Sequence, residues 1–399
     1  MLNTPFSPWP SYSDEEAQAI SETLLSNRVN YWTGGRCRQF ENEFAIWVGA
    51  RHAIALANGT LALDLALHGL GIGAVNGGSS EDEVIVTPRS FIASVSCVVN
   101  AGARPVFADV DGDSGNLSAT TIKPTISSRT KAVIVVHLAG LPCEMPSIIA
   151  LARQKGFRVI EDCAQAHGSS IKGKPLGSYG DVAALSFCQD KIMTTGGEGG
   201  MVTCDDATLW ERMWSYKDHG KSRKAVRNTD HPPGFRWLHD SFGTNWRMLE
   251  IQAAIGLIQL KRMASWHTAR KRNAEAIWRA AADFQFAIVP AIPNGFEHAY
   301  YRAYVHIKAD QLEQGWTRDR IVREIMQLGV PCYHGTCTEI YLEKAFDGTP
   351  WRPPQRLPVA RQLGETSLMF LVHPTLTEAE ITKTCQVIRK VFSLAQRTR

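Results

Sequence analysis

The chain has no CxxC pair, no apolar run near the length of a membrane span, and no excess of one charge. Each absence removes a class of function. Nine cysteines lie scattered from Cys37 to Cys385. An odd count at irregular spacing indicates neither a disulfide framework nor a zinc site. The closest pair, Cys332 and Cys337, lacks His or Cys partners at ligand spacing, so both read as ordinary thiols and no metal is expected. No stretch approaches the roughly 18 apolar residues of a spanning helix. Met1 to Pro8 carry neither the basic nor the apolar part of a secretory leader. A reducing, cytoplasmic setting without a membrane partner is the expectation. Lys and Arg number 43 against 39 Asp and Glu, a formal net charge of +4, too balanced to point to a nucleic-acid surface. Internal repeats and low-complexity tracts are absent as well.

What is present is an ordinary globular profile of 399 residues, 44% hydrophobic, enough for one large domain and a smaller one. Between about residues 50 and 205, short apolar runs alternate with helix-length segments. The runs are Val84–Val86, Pro105–Phe107, Ala132–Val136, Arg158–Ile160, Val182–Phe187 and Gly200–Thr203. They lack in-out alternation, which suits a mostly parallel sheet covered on both faces. Leu61–Leu70 and Pro146–Lys155 read as helices. This α/β pattern places a ligand at the carboxyl ends of the strands. Further on, Lys217–Arg236 reads as a long exposed basic loop. A helix follows over roughly Met248–Ala282, and a smaller α+β unit runs to the end. The domain division is drawn inside that helix, as 1–255 and 256–399.

Three segments carry chemistry. Asn58-Gly59-Thr60 opens the helix after the apolar run Ala53–Ala57, where bare N–H groups and the helix dipole favour a phosphate. The same triplet also reads as a plain turn and N-cap. Arg158–Ile160 leads into Glu161-Asp162, and strand alternation sends Asp162 toward a site and Glu161 to the opposite face. A helix N-cap aspartate is the alternative. Lys191 follows the strand Val182–Phe187 and precedes the Gly-rich run Gly196–Gly200. In a closed site, desolvation would lower its pKa and make it a nucleophile toward a carbonyl. A lysine at a strand end can equally face solvent. A phosphate cradle, a strand-end Asp and a strand-end Lys in this order are the parts a pyridoxal phosphate (PLP) enzyme requires.

At this point the sequence resembles the DegT/DnrJ/EryC1/StrS sugar aminotransferases along nearly its whole length. The carrying segments, in order, are Tyr31–Gly35, Ala57–Leu63, Asp82–Val86, Ser90–Ala93, Ala101–Val110 and Val136–Gly140. Glu161–Gly168, Ser186–Gly200, Thr244–Met248 and Leu357–Ala360 follow. The resemblance implies an aspartate-aminotransferase-like, fold-type I α/β domain with a smaller C-terminal α+β domain. It implies that Lys191 carries the cofactor, Asp162 pairs with the pyridine nitrogen, and Gln165 lies near the phenolic oxygen. Phe91 would stack on the ring, and Gly59, Thr60 and Ser186 would hold the phosphate. Asn245 would reach the phosphate of a partner subunit's cofactor, which implies a homodimer with shared sites. Thr33, His219, Tyr333 and His334 are candidates on the substrate side. The basic loop is a candidate for the nucleotide-sugar diphosphate, or a solvated loop.

The implied reaction moves an amino group from a donor, glutamate in the family, to a keto nucleotide sugar. Lys191 argues against the related dehydratases, which carry histidine there. The presence of both Lys191 and Asp162 argues against a non-catalytic regulatory member. Thr194-Thr195-Gly196-Gly197-Glu198-Gly199-Gly200 is closer to the Thr-Thr-Gly-Glu-Gly-Gly run of relatives that aminate C4 than to the run of those that aminate C3. It is one glycine longer than that run, and Asn58 stands where the family commonly has serine. The expectation is therefore C4 of a 4-keto-6-deoxy sugar, with a 3-keto sugar as the alternative.

Overall fold

A computed structural model of the chain describes residues 6–397 apart from 229 and 232. Residues 1–5 of the opening stretch, and Thr229 and Pro232 of the basic stretch, lie outside the described residues. The large sheet has seven strands: β1 His52–Leu56, β2 Glu83–Val86, β3 Arg104–Phe107, β4 Thr130–Val136, β5 Arg158–Asp162, β6 Val182–Ser186 and β7 Gly200–Cys204. Their order is β1-β7-β6-β5-β4-β2-β3. β7 runs antiparallel to both of its neighbours, and the pairings from β6 to β3 are parallel.

The continuous apolar runs have a direct cause. Ile85, Val133, Val135 and Val159 face one buried core, with Phe40, Phe44, Ile148 and Leu151 from covering helices. The alternate residues Val84, Val86, Ala132, Ile134 and Ile160 face a second core with Leu63, Leu67 and Val98. Both faces are covered, so neither set of positions can be polar without stranding a polar group.

The long helix Glu250–Ala282 belongs to two cores. Its Leu257, Leu260 and Met263 pack under the large sheet, whereas Ala274, Ile277 and Trp278 pack into the core of the smaller unit. That unit is built on β8 Ala287–Ile288, β9 Ala303–Ile307, β10 Cys332–Tyr333 and β11 Ser367–Phe370. They form an antiparallel sheet in the order β8-β9-β11-β10, backed by helix Glu378–Ala395. Phe6, from the start of the chain, is part of this second unit's core. The mostly parallel α/β domain and the smaller α+β unit are as expected. No helix among the described residues is long and apolar enough to cross a membrane, and all nine cysteines are unpaired.

The stretch from Lys217 to Arg236 corrects the sequence reading of one exposed basic loop. Lys217 ends helix Ala207–Lys217 and is buried, with Nζ 3.5 Å from Glu41 and 4.0 Å from the Tyr31 ring centre. Buried Asp218 receives Lys221 at 3.0 Å and also pairs with Arg247. Lys221 sits 4.4 Å over Trp32, and Arg223 4.1 Å over Trp210, inside a short helix Arg223–Arg227. The faces of Tyr31, Trp32 and Trp210 shelter these cations. They come from distant positions, so a local count of charges cannot reveal them.

Candidate active site

Strand ends and a helix start meet at a cavity of about 790 Å³. Parallel pairing of β5 with β6 sets Asp162 opposite Ala184. Asp162 therefore emerges at the same sheet edge as Ser186 and the segment leading to Lys191, and all three residues line the cavity. From β1 the chain enters helix Gly59–Leu70, with Asn58 as its cap, accepting the Leu61 N–H at 3.0 Å. The Asn58 side chain is thus spent on the helix, as the N-cap reading holds. The Gly59 and Thr60 amides belong to the first turn, have no carbonyl partner within the helix, and border the cavity. A β-carbon on Gly59 would lie 2.5 Å from the Ser186 Cβ. Glycine here is what lets the helix start touch the end of β6.

Alternation along β5 separates two carboxylates. Glu161 points away from the cavity and accepts the N–H groups of Gly177, Tyr179 and Gly180 at 3.1, 2.8 and 2.8 Å, with His137 Nε2 at 3.3 Å. Ligand-type atoms of His137, Glu161 and Cys163 lie within 4.8 Å of one another, but Glu161's oxygens already serve this loop. Asp162 is buried on the cavity side, where it accepts the Ser94 hydroxyl at 2.7 Å and the Ala164 N–H at 3.1 Å. Burial raises its carboxyl above the usual range, against the opposing pull of these donors and of Lys191. Such a carboxyl is stabilised as an anion by any cationic group placed in the cavity.

Gln165 Oε1 accepts the Ala139 N–H at 2.7 Å, which leaves its NH2 group as a donor at the cavity wall. The Ala139 carbonyl in turn accepts the Tyr301 N–H at 2.9 Å, so this turn aligns Gln165 with Tyr301. Phe91 lines the cavity with 69% of its surface exposed, an aromatic with an open face.

Lys191 is held by neighbours that sequence reading missed. Its Nζ is 3.1 Å from Asp190 Oδ1 and 5.6 Å from the Tyr301 ring centre. The Tyr301 hydroxyl donates to the other Asp190 oxygen. Burial by itself would lower the lysine pKa, but Tyr301 and Asp190 outweigh it and hold the ammonium above the ordinary lysine value. The expected depression by desolvation is therefore corrected, because a carboxylate sits beside the amine. Beyond Lys191, Gly196 and Gly197 take φ values of 86° and 119°, the left-handed region open to glycine. The additional glycine is absorbed in that turn, and Glu198 is carried to the cavity wall.

Other expected residues lie elsewhere. Thr33 is exposed with its hydroxyl on the Asn30 carbonyl. His219, in a left-handed conformation, and Asn245 are exposed on adjoining segments, joined through the Asp218–Asn245 bridge. His334 is half exposed beside Asp319, and Tyr333 packs against Tyr304 and Met369. None of the five is in the cavity wall of this chain. The wall is completed instead by Tyr301, Arg302, Tyr304 and Gly335–Cys337. Nothing in the local sequence marks Tyr301, Arg302 or Tyr304, which arrive from the smaller unit by folding, whereas Gly335–Cys337 directly follow the candidates Tyr333 and His334.

The sequence matches the DegT/DnrJ/EryC1/StrS aminotransferase family over residues 10–389. The chain belongs to that family. An aminotransferase of Psychrobacter cryohalolentis, known from its X-ray structure, is 59% identical, with a TM-score of 0.95 over 98% of this chain and 99% of its own. GDP-perosamine synthase of Escherichia coli O157:H7 is 33% identical over 384 residues, 96% of this chain and 97% of the relative. The UDP-N-acetyl-3-dehydro-alpha-D-glucosamine 3-aminotransferase of Acidithiobacillus ferrooxidans is 35% identical over 383 residues, 95% of this chain and 94% of the relative. Membership makes the protein a PLP-dependent sugar aminotransferase with the fold of that class.

The Asp190 contact has a measurable consequence. Because the carboxylate holds Lys191 protonated, the neutral, reactive amine appears only as pH rises above the ordinary lysine range. In Asp190→Asn the pH profile of Lys191 modification by an amine-reactive probe, mapped by mass spectrometry on apoprotein, should move to lower pH. Identical profiles in the two proteins would rule out Asp190 as the group that holds the amine.

Proposed function

We propose that the protein transfers an amino group from glutamate to C4 of a 4-keto-6-deoxy nucleotide sugar, in a homodimer whose sites draw on both subunits. The carrying observation is the convergence of Lys191 and Asp162, from the ends of paired strands, on a cavity that also meets a helix start. In this reading Lys191 binds the cofactor covalently and Asp162 faces the pyridine nitrogen. The Gly59 and Thr60 amides, with the Ser186 hydroxyl, hold the phosphate. The Gln165 NH2 donates to the phenolic oxygen, and the open face of Phe91 stacks on the ring. When bound, PLP supplies an electron sink for the reacting carbon. Lys191 Nζ would hold the proton that leaves the substrate carbon, with Asp190 and Tyr301 beside it.

The exposed placement of Thr33, His219 and Asn245, outside their own chain's cavity, supports roles in the partner subunit's site, with Asn245 at the phosphate. Phe235, Trp237 and Phe242 are 81%, 85% and 98% exposed on the same stretch, an apolar surface that suits a subunit contact. The C4 position is supported by the turn from Thr194 to Gly200, which leads out from Lys191 and borders the cavity through Glu198. A shift of about 1 Å at a reacting atom costs roughly 100-fold in rate, so this turn can choose between neighbouring carbons. Amination at C3 is the second reading, favoured by the likeness to the A. ferrooxidans 3-aminotransferase.

Borohydride reduction of the purified holoenzyme should fix the cofactor on Lys191, and Lys191→Ala should lose both the fixation and turnover. Peptide mapping that finds the label on another lysine would overturn the assignment. Mixing Lys191→Ala with Asn245→Ala protein should restore activity once subunits exchange, since one site per mixed dimer is then intact. Proven exchange without recovery would exclude shared sites. Matched 3-keto and 4-keto sugars on one nucleotide, each with glutamate, should show a higher kcat/KM for the 4-keto substrate. Preference for the 3-keto sugar would move the assignment to C3.

A further inference from the structure

A second cavity, of about 1040 Å³, lies beside the first, between the large sheet domain and the smaller unit. Arg302 and Tyr304 line both cavities. In the wall of the second is Arg89, 2% exposed. Its Nε has no hydrogen-bond partner, and its Nη1 reaches the Gly115 carbonyl at a long 3.5 Å. Arg302, 5% exposed, makes one 3.3 Å bond to the Tyr301 carbonyl and stacks 4.3 Å over that ring. Among the described residues no carboxylate pairs with either guanidinium. Asp113, Asp310 and Glu365 also border the cavity but are exposed, and Glu365 is already engaged by Arg361 at 2.8 Å.

Burying a guanidinium with most of its donors unused is costly, and proteins keep such an arrangement where an anion completes it. The Tyr304 hydroxyl accepts the Thr336 N–H at 2.9 Å, so its own proton is free for another acceptor. His306, also in this wall, is kept neutral by burial and by Arg89, its pKa lowered to about 3. The pocket thus offers donors and positive charge with no carboxylate in salt-bridge contact; Asp190, in the adjoining cavity, feels Arg302 only through its field. A planar, forked donor such as Arg fits a carboxylate bidentately.

We propose that Arg89 and Arg302, with the Tyr304 hydroxyl, bind a carboxylate of a substrate whose reacting end enters the adjoining cofactor cavity. The inference rests on the aminotransferase reading above and extends it to recognition. The carboxylate has two possible sources: the dicarboxylic amino donor, or a keto sugar oxidised to an acid at C6.

The test uses holoenzyme and an unreactive dicarboxylate, glutarate, titrated by calorimetry, so it needs no turnover and is independent of which sugar carbon is aminated. In Arg89→Met, similar in volume and uncharged, the glutarate Kd should rise on the order of tenfold or more, with Tm unchanged or higher because an unpaired buried charge is gone. Arg89→Lys, which keeps the charge and loses the fork, should fall between. If Arg89→Met does not fold, Arg302→Gln carries the same measurement from the other side of the pocket. Unchanged glutarate affinity, with a selective loss of kcat/KM for a C6-carboxylate keto sugar over its 6-deoxy counterpart, assigns the pocket to the sugar and overturns the 6-deoxy part of the proposed substrate. Unchanged glutarate affinity and unchanged sugar selectivity overturn the proposal. A lowered Tm with both unchanged marks Arg89 as a structural residue and overturns it equally.

Discussion

Gly59 meets Ser186 at a distance that no β-carbon could share. Through this contact the start of a helix, the end of β6 and the lysine segment beyond it occupy one small volume. If Gly59 carried a side chain, the helix would have to retreat from β6, and the amides of its first turn would leave the cavity. β7 tightens the same junction, since a β-carbon on Gly200 would fall 2.2 Å from the Asn58 carbonyl oxygen. The two glycines are therefore geometric conditions for a shared site, and the parallel β5–β6 pairing supplies the third by bringing Asp162 to the same edge.

Charge is distributed around this junction by a division of labour within short segments. On β5, Glu161 ties down the 177–180 loop while its neighbour Asp162 is reserved for the cavity. After β6, Asp190 braces Lys191 and joins it to Tyr301 at the edge of the smaller unit. The link means that the position of the smaller unit is felt at the reactive amine. Across the Tyr301–Tyr304 wall, neither Arg89 nor Arg302 has a carboxylate in salt-bridge contact among the described residues, and the Arg89 Nε lacks a hydrogen-bond partner. A protein that buries cations without counter-ions gives up stability that an anionic ligand can return on binding.

Where sequence reading succeeded, the governing interactions were local or periodic. Continuous Val and Ile runs required a sheet covered on both faces, and helix limits followed from Gly59, Leu70 and Lys155 to within a residue or two. The opposite directions of Glu161 and Asp162 came from strand alternation alone. Where it failed, the deciding partner was remote in sequence. Lys217 and Lys221 looked solvated until Tyr31, Glu41 and Trp32 were folded against them. Lys191 was expected to be depressed in pKa by burial, and the carboxylate beside it reversed the sign.

Sequence by itself determined the α/β architecture, the order of strand-end residues and the family, because these rest on periodicity and on ordered short segments. The tertiary structure decided the rest. It selected Tyr301, Arg302 and Tyr304 over Tyr333 and His334 for the cavity wall, and it set the protonation of Lys191. It also placed Thr33, His219 and Asn245 outside their own chain's cavity. The physical reason is common to all of these. Burial and electrostatic environment are sums over neighbours in space, and chain order fixes those neighbours only after the long helix Glu250–Ala282 has carried the smaller unit back against the large sheet.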